Sequence, residues 1–309
     1  MADHLARPAE VPGIHAPGVT LSRDRDIVVN GIRLHCFDWS RPDRNPILFL
    51  HGGSLNAHTW DVVCTDLCRD YHCYAIDLRG HGDSEWSPSL DYGLDAHVRD
   101  LEGFVQHLGA DRVVLVGHSL GGHASIRYAS QHPDRLAALV VIDTSPFFRG
   151  GPPLARIRNF MVGADHFDSL EDAISYVCSH DPSRDPAKLR HTLRHSLRQL
   201  PDGRWTWKRD QRHLNDRYFA DALKELQSLL PLLGDIHCPT LVVRGDNGAL
   251  TAEDADKFRS RLPYGRAVTV EDAGHNVQTD NPTGLVAALR PFLTEVSRPG
   301  HKLEAQRET

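Results

Sequence analysis

Long apolar runs are missing from this sequence of 309 residues. No stretch approaches the 18 or more apolar residues that a membrane-spanning helix needs. Residues Met1 to Gly18 contain three prolines and mixed charges, instead of the basic segment and apolar stretch of a secretory signal. We therefore expect a cytoplasmic protein without a membrane partner. Residues 1–20 are expected to form a flexible N-terminal arm.

An excess of basic charge is also missing. Lysine and arginine total 35 against 41 aspartates and glutamates, which gives a formal net charge of −6, and 20 histidines offset part of it only below neutral pH. Neutralising nucleic-acid phosphates requires a basic surface that this balance does not provide. Nucleic acid is therefore not an expected partner.

Cysteines are few and scattered, and we expect reduced thiols instead of a disulfide framework. The six are Cys36, Cys64, Cys68, Cys73, Cys178 and Cys238. Three of them lie near His72, but the spacing of this group matches no familiar zinc pattern. The sequence therefore predicts no metal site and no cofactor.

Strand and helix patterns alternate along most of the chain. Ile27–Val29 and Ile32–Phe37 flank Asn30-Gly31, a dipeptide typical of a tight hairpin turn. Continuous apolar runs then indicate buried parallel strands. These runs are 46–50, 74–76, 113–116, 139–142, 241–243 and 268–270, and helical patterns cover 58–69, 94–108, 120–131, 252–261 and 282–296. The alternation predicts an α/β fold with a doubly wound, mostly parallel sheet.

The alternation stops between Pro146 and Pro239, where helical patterns occur without a convincing strand, and the alternating stretch 202–210 indicates a hairpin or an extended connector. We interpret residues 146–234 as a helical insertion after the sixth strand. The predicted core then comprises residues 21–145 and 235–296, and the polar segment 297–309 is expected to be a flexible tail.

Gly117-His118-Ser119-Leu120-Gly121 lies between a buried strand pattern and a helix pattern rich in small residues. This context is typical of a nucleophile elbow, in which a strained turn projects the serine hydroxyl above the sheet. Ser119 is therefore the candidate nucleophile. A serine hydroxyl needs a base to remove its proton during attack, and His275, after the last strand pattern, is the best candidate among the histidines.

With these motifs the chain resembles the α/β-hydrolase superfamily from about residue 27 to 296, in its branch of esterases and lactonases that use a serine nucleophile and carry a cap domain. Leu48-Phe-Leu-His-Gly-Gly53 is similar to the strand and oxyanion loop of the family. Asp77-Leu-Arg-Gly-His-Gly-Asp-Ser84 is similar to the turn after the next strand, and Asp272-Ala-Gly-His-Asn276 to the loop of the catalytic histidine. The resemblance implies that backbone N–H groups of Gly53 and Leu120 form the oxyanion hole.

The acidic partner of His275 has two candidates. Members of this family most often carry that acid after the strand that here is 241–243, where this chain has Gly248 and Ala249. Asp143 follows the preceding core strand, a position that some branches of the family use, and is our preferred acid. Asp246 in the usual loop is the alternative, and Asp143 would then only anchor the start of the insertion.

The insertion falls where the family carries a cap over the active site, and its apolar side chains are candidates for binding substrate. The candidates are Phe147, Phe148, Phe160, Met161, Trp205 and Trp207. The alternative is that most of them fill the small core of the cap itself. His191 and His195 have a spacing that can bind zinc, but the arginines around them favour a solvated face.

These features predict a serine hydrolase without a cofactor, acting through an acyl-enzyme on the ester or lactone bond of a small, largely apolar substrate. Cleavage of C–C or amide bonds by the same triad stays open. Two other classes are a receptor-like binding protein and a cofactor-free oxygenation in which His275 alone is the base. The sequence is compatible with a homodimer and does not identify the substrate.

Overall fold

The computed structural model describes residues 22–41, 44–182 and 184–298. The predicted arm over residues 1–20 lies outside this part of the chain, as does all of the predicted tail except its first two residues. None of the described helices is long and apolar enough to cross a membrane.

Eight strands form the central sheet, in the order β1-β2-β4-β3-β5-β6-β10-β11. Among the described strands of this sheet, β2 alone runs opposite to the others, because the turn at Asn30 and Gly31, both with positive φ angles, folds it back on β1. The strands are β1 (Arg23–Val29), β2 (Ile32–Trp39), β3 (Pro46–Leu50), β4 (His72–Ile76), β5 (Val113–His118), β6 (Leu136–Ile142), β10 (Thr240–Gly245) and β11 (Gly265–Val270). The predicted α/β fold with a mostly parallel sheet is confirmed.

Helices cover both faces of the sheet, and a separate apolar core fills the space on each side. Phe104 of one helix and Phe258 of another belong to the first core, whereas Leu67 and Leu289 belong to the second. The helices of these two layers are α1 (Asp61–Leu67), α2 (Leu94–Leu108), α3 (Leu120–Gln131), α8 (Ala252–Ser260), α9 (Val277–Asp280) and α10 (Pro282–Val296). Continuous apolar strands fit this arrangement because both of their faces are buried.

The segment inserted between β6 and β10 is mostly helical, but it also contains three short strands, the last of which lies in the stretch 202–210 that indicated a hairpin or an extended connector. These strands form an antiparallel sheet in the order β7-β9-β8. The elements are α4 (Pro152–Val162), β7 (His166–Phe167), α5 (Leu170–His180), α6 (Pro186–Ser196), β8 (Leu197–Gln199), β9 (Trp205–Trp207) and α7 (Asp216–Gln227). Strands of two or three residues are too short for their alternation to stand out from a loop.

Candidate active site

Ser119 occupies a sharp turn between β5 and α3. Its φ of 49° and ψ of −115° lie outside the regions that most residues adopt, and its N–H donates to the Ile142 carbonyl of β6 at 3.2 Å. Backbone strain of this kind occurs where neighbouring structure holds a functional side chain in place. The side chain of Ser119 is half-buried, so it is accessible at the carboxyl edge of the sheet.

The loop after β3 approaches this turn closely. The Gly121 N–H donates to the His51 carbonyl at 3.1 Å, and a methyl group at Gly121 would lie 2.6 Å from the carbonyl carbon of Leu50. Only glycine therefore fits position 121. Among the described residues, the N–H groups of Gly53 and Leu120 have no hydrogen-bond acceptor. These two donors, one in the loop after β3 and one at the start of α3, match what an oxyanion hole requires.

The side chain of His275 meets the carboxylate of Asp143. Nδ1 of His275 lies 2.8 Å from Oδ2 of Asp143, and the Asp143 side chain is fully buried. Since the carboxylate can only accept, Nδ1 carries the proton and Nε2 is left with its lone pair. A third of the His275 side chain is exposed, so the ring is accessible at the surface of the site.

Three backbone N–H groups, at the end of β10 and in the loop that follows it, hold the carboxylate of Asp143. The N–H of Gly245 and the N–H of Leu250 donate to Oδ1 at 3.2 and 3.4 Å, and the N–H of Ala249 donates to Oδ2 at 2.6 Å. Hydrogen bonds of this type stabilise a buried negative charge. These bonds hold Asp143, one of the two candidate acids, against the loop after β10. Asp246, the other candidate, makes different contacts.

Asp246 points to the backbone of the histidine loop and, within the described chain, makes no contact with the imidazole. Its Oδ1 accepts from the N–H of Ala273 at 2.9 Å and from that of Asn247 at 3.0 Å. The hydrogen bond from Ala273 is the main cause that lowers the pKa of Asp246 below its usual value. The structure therefore brings Asp143, and not Asp246, to His275.

His118 contacts the histidine loop from below. Its Nε2 donates to the carbonyl oxygen of His275 at 2.8 Å, and its ring is fully buried. Burial lowers the pKa of His118 well below the usual value, and the neighbouring His275 lowers it further. A neutral ring with its proton on Nε2 suits this role. No local pattern indicated this contact, because the two residues are 157 positions apart.

Of the apolar residues expected to bind substrate, Met161 lies against the loop after β3. A methyl group at Gly53 would be 3.6 Å from Cε of Met161. Trp207 is buried in the core of the inserted segment, with Phe160 and Trp205 packed around it. Phe147 and Phe148 pack at the border of the main core. For these five aromatic residues the structure favours the alternative that they fill cores.

A surface cleft of about 310 Å³ lies beside Phe147 and is away from Ser119. Its lining comes from the start of the inserted segment and from α8, with Arg149 and Lys257 among its side chains. Lys257 already pairs with Glu253 at 2.5 Å. We therefore place the candidate site at the carboxyl ends of β5 and β6, where Ser119 follows β5 and Asp143 follows β6 and bonds His275, and not in this cleft.

One group of three side chains in the described chain has the spacing of metal ligands: His35, Asp77 and Asp83. Their ligand atoms already have partners in the protein. Nδ1 of His35 bonds Asp77 at 2.9 Å, and both oxygens of Asp83 accept from Lys208 at 2.8 Å. These contacts account for the group as a polar network between the core and the inserted segment.

Comparisons with known proteins agree with this architecture. A family model described as the alpha/beta hydrolase fold matches residues 45–282. The esterase Rv0045c of Mycobacterium tuberculosis is 32% identical over 296 residues, which are 94% of each chain. A solved structure of that esterase superposes with a TM-score of 0.72 at 29% identity and covers 91% of this chain and 94% of that one.

A second relative is the N-formylmaleamate deformylase of Pseudomonas putida. It is 28% identical over 284 residues, which cover 87% of this chain and 95% of the deformylase. The family match spans six of the eight strands of the central sheet, the turn at Ser119 and the loop of His275, and the first relative covers nearly the whole chain. The chain therefore belongs to the family of hydrolases with the α/β-hydrolase fold.

Proposed function

We propose that the protein is a serine hydrolase that cleaves the ester bond of a small, largely apolar substrate through an acyl-enzyme intermediate. The observation that carries this proposal is the 2.8 Å hydrogen bond between His275 and Asp143, made at the sheet edge where Ser119 lies. A lactone is a cyclic ester and undergoes the same chemistry, so it belongs to the same proposal.

In the first step, Nε2 of His275 removes the proton of the Ser119 hydroxyl as its oxygen attacks the carbonyl carbon. A tetrahedral intermediate forms, and the C–O bond to the leaving alcohol breaks as the alcohol takes the proton from His275. The Asp143 carboxylate stabilises the charged imidazole and holds its tautomer, without taking the proton itself. The buried setting of Asp143 and its backbone donors suit that role.

Negative charge develops on the carbonyl oxygen in this step. The free N–H groups of Gly53 and Leu120 stabilise it, since preorganised donors in a water-poor site contribute several kcal/mol, about 3 to 4 for one donor in measured cases. Water then attacks the acyl-enzyme with His275 again as base, and the acid product leaves. The serine oxygen recovers its proton from the imidazole.

We infer that the inserted segment acts as a cap over this centre. Ligands of open α/β sheets bind beyond the carboxyl ends of the strands, which is the side on which Met161 covers Gly53. The Asn56 amide also donates to Oγ of Ser196 at 3.2 Å, which ties the loop after β3 to the end of α6. Movement of the inserted segment would therefore change access to Ser119.

The 32% identity to an esterase supports ester cleavage. Amide cleavage is the second candidate, because the deformylase relative acts on an N-formyl compound by its name. The same triad serves both reactions, so a panel that pairs esters with the matching amides separates them. If the protein instead binds its ligand tightly and turns it over slowly, it is a receptor-like binding protein.

The proposal is tested by treating the protein with a fluorophosphonate and locating the adduct by mass spectrometry, followed by a panel of esters, lactones and amides. We expect the label on Ser119 and a loss of turnover of at least 1,000-fold in Ser119→Ala. Ser130→Ala, at the far end of α3, is the matched control and should keep its activity. Label on another residue, or substantial turnover in Ser119→Ala, would favour a mechanism that uses His275 alone.

A further inference from the structure

Arg209, two residues after the end of β9, is a buried cation that forms no ion pair with the residues the structure describes. Only 3% of the residue is exposed. Its Nη2 donates to the Met161 carbonyl at 3.0 Å, whereas Nε and Nη1 have no hydrogen-bond partner within the described residues. Leaving charged donors buried and unsatisfied is costly, so such a group calls for an explanation.

The protein satisfies a comparable arginine in a different way. Arg79 is also buried, and its Nε and Nη2 donate to the two carboxylate oxygens of Asp100, both at 2.6 Å. A bidentate pair of this type is the usual solution for a buried guanidinium. Arg209 is buried to a similar extent, but no carboxylate of the described residues bonds its guanidinium.

The immediate surroundings of Arg209 are aromatic. Its guanidinium carbon lies 4.8 Å from the ring centre of Trp207 and 5.6 Å from that of Phe160. Burial lowers the pKa of Arg209 to about 10, while Tyr176 and Asp165 oppose this shift. The Tyr176 hydroxyl donates to the Phe160 carbonyl instead, and Asp165 is exposed to solvent. The guanidinium therefore remains charged at neutral pH.

Met161 connects this cation to the proposed oxyanion hole. The backbone carbonyl of Met161 accepts from Arg209, and its thioether end lies against Gly53. A single residue thus separates the guanidinium from the position where the reacting carbonyl would bind. Methionine side chains are unbranched and adaptable, so displacement of this one opens a path between the two.

We infer that Arg209 binds a carboxylate at the far end of the acyl chain, so that the preferred substrates are short esters of dicarboxylic acids. This inference rests on the proposed hydrolase function and deepens it. The two unsatisfied donors offer the carboxylate a charge-assisted contact, and the aromatic rings exclude water around it. Because a single methionine reaches from Arg209 to Gly53, we expect an acyl chain of a few carbons to cover the same distance.

The test compares monoethyl succinate with ethyl butyrate, two esters of equal chain length that differ in the terminal carboxylate, by pH-stat measurement of kcat/KM. We expect the wild-type protein to prefer monoethyl succinate. Arg209→Met should lower its kcat/KM by about 10- to 100-fold, the range expected for hydrogen bonds to a charged group, and change that of ethyl butyrate by less than about 3-fold. Arg209→Lys should recover part of the preference.

Arg204→Met is the matched control, since Arg204 lies in the turn between β8 and β9 and pairs with the exposed Asp202. A binding measurement keeps the inference independent of turnover: free succinate should raise the Tm of the wild-type protein and of Ser119→Ala, but not of Arg209→Met. Equal losses for both esters in folded Arg209→Met, or no effect of succinate on the wild-type Tm, would overturn the inference. If Arg209→Met does not fold, the wild-type ester preference and the succinate shift decide.

Failure of the proposed function has a different signature. The wild-type protein would then hydrolyse neither ester and take no fluorophosphonate label on Ser119, while the succinate shift could still be present. A succinate shift that requires Arg209 would support the carboxylate site in either case.

Discussion

The carboxylate of Asp143 fills the space next to Gly248. A methyl group at position 248 would lie 2.6 Å from Cγ of Asp143, far inside the van der Waals contact distance. Related proteins most often carry their acid in the loop that holds Gly248. Here a glycine in that loop leaves room for a carboxylate that arrives from the end of β6 instead. The position of the Asp143 carboxylate and the identity of residue 248 are therefore linked by sterics.

Replacing the acid should separate the two candidates. We expect Asp143→Asn to lower kcat by at least 100-fold, because the amide no longer stabilises the charged imidazole of His275. Asp246→Asn should lower kcat by less than about 10-fold and lower the Tm, since Asp246 holds the backbone at Ala273. Steady-state kinetics and thermal unfolding of both variants check this. Loss of activity in Asp246→Asn alone would rule out Asp143 as the acid.

Adding one methyl group at Gly248 should disturb the site without removing a polar group. Gly248→Ala forces the Asp143 carboxylate to move, so we expect kcat to fall by about 10-fold or more and the free energy of unfolding to drop by about 1 to 3 kcal/mol, as in other overpacked sites. Gly234→Ala is the control, because a methyl group there meets no atom within 4 Å. Unchanged kcat in Gly248→Ala would show that Asp143 can shift freely, against the close packing described.

Protonation of His97 should weaken the fold at acid pH. His97 is buried on α2 with both ring nitrogens unpartnered in the described chain, and burial lowers its pKa to about 3, helped by the charge of Arg79. Between pH 6.5 and 3 the unfolded chain binds the extra proton, so stability falls as the pH falls through this range. At pH 5 the expected loss from this one group is about 2 kcal/mol.

The variant His97→Leu removes this titration. Urea unfolding at pH 5 and pH 7.5 should therefore show a smaller acid loss in His97→Leu than in the wild-type protein, with the gain concentrated at pH 5. His107→Leu, an exposed position on the same helix, should follow the wild-type pH dependence. Equal acid losses in all three proteins would contradict the assignment to His97.

Much of the core was predictable because its patterns are local. The bounds expected for the helices at 94–108, 120–131 and 282–296 agree with α2, α3 and α10, since each has an apolar face of helical period with clear ends. Strand β3 has the expected bounds, whereas the other strands of the central sheet are two to four residues longer than expected. In the inserted segment, the pattern at 202–210 indicated a hairpin or an extended connector, which agrees with β9, but β7 and β8 were missed because pairing, and not periodicity, makes them strands.

The candidate site was predictable in part. The turn at Ser119 has a strong local pattern, and the loop of His275 was found through the resemblance to a family. Which acid meets His275 was left open between Asp143 and Asp246, because the choice depends on how the loops after β6 and β10 pack. No local pattern predicted the contact of His118 with the His275 carbonyl. None predicted that Nε and Nη1 of Arg209 find no hydrogen-bond partner among the described residues.

By itself the sequence determined the order of strands and helices, the two-sided burial of the sheet and the turn that carries Ser119, because these follow from periodicity and from backbone preferences over a few residues. Only the tertiary structure decided which carboxylate reaches the imidazole and left Arg209 without an ion pair among the described residues. Those outcomes depend on contacts between segments that are separated in the chain, by 132 residues for Asp143 and His275, and are set by how the sheet and the inserted segment pack.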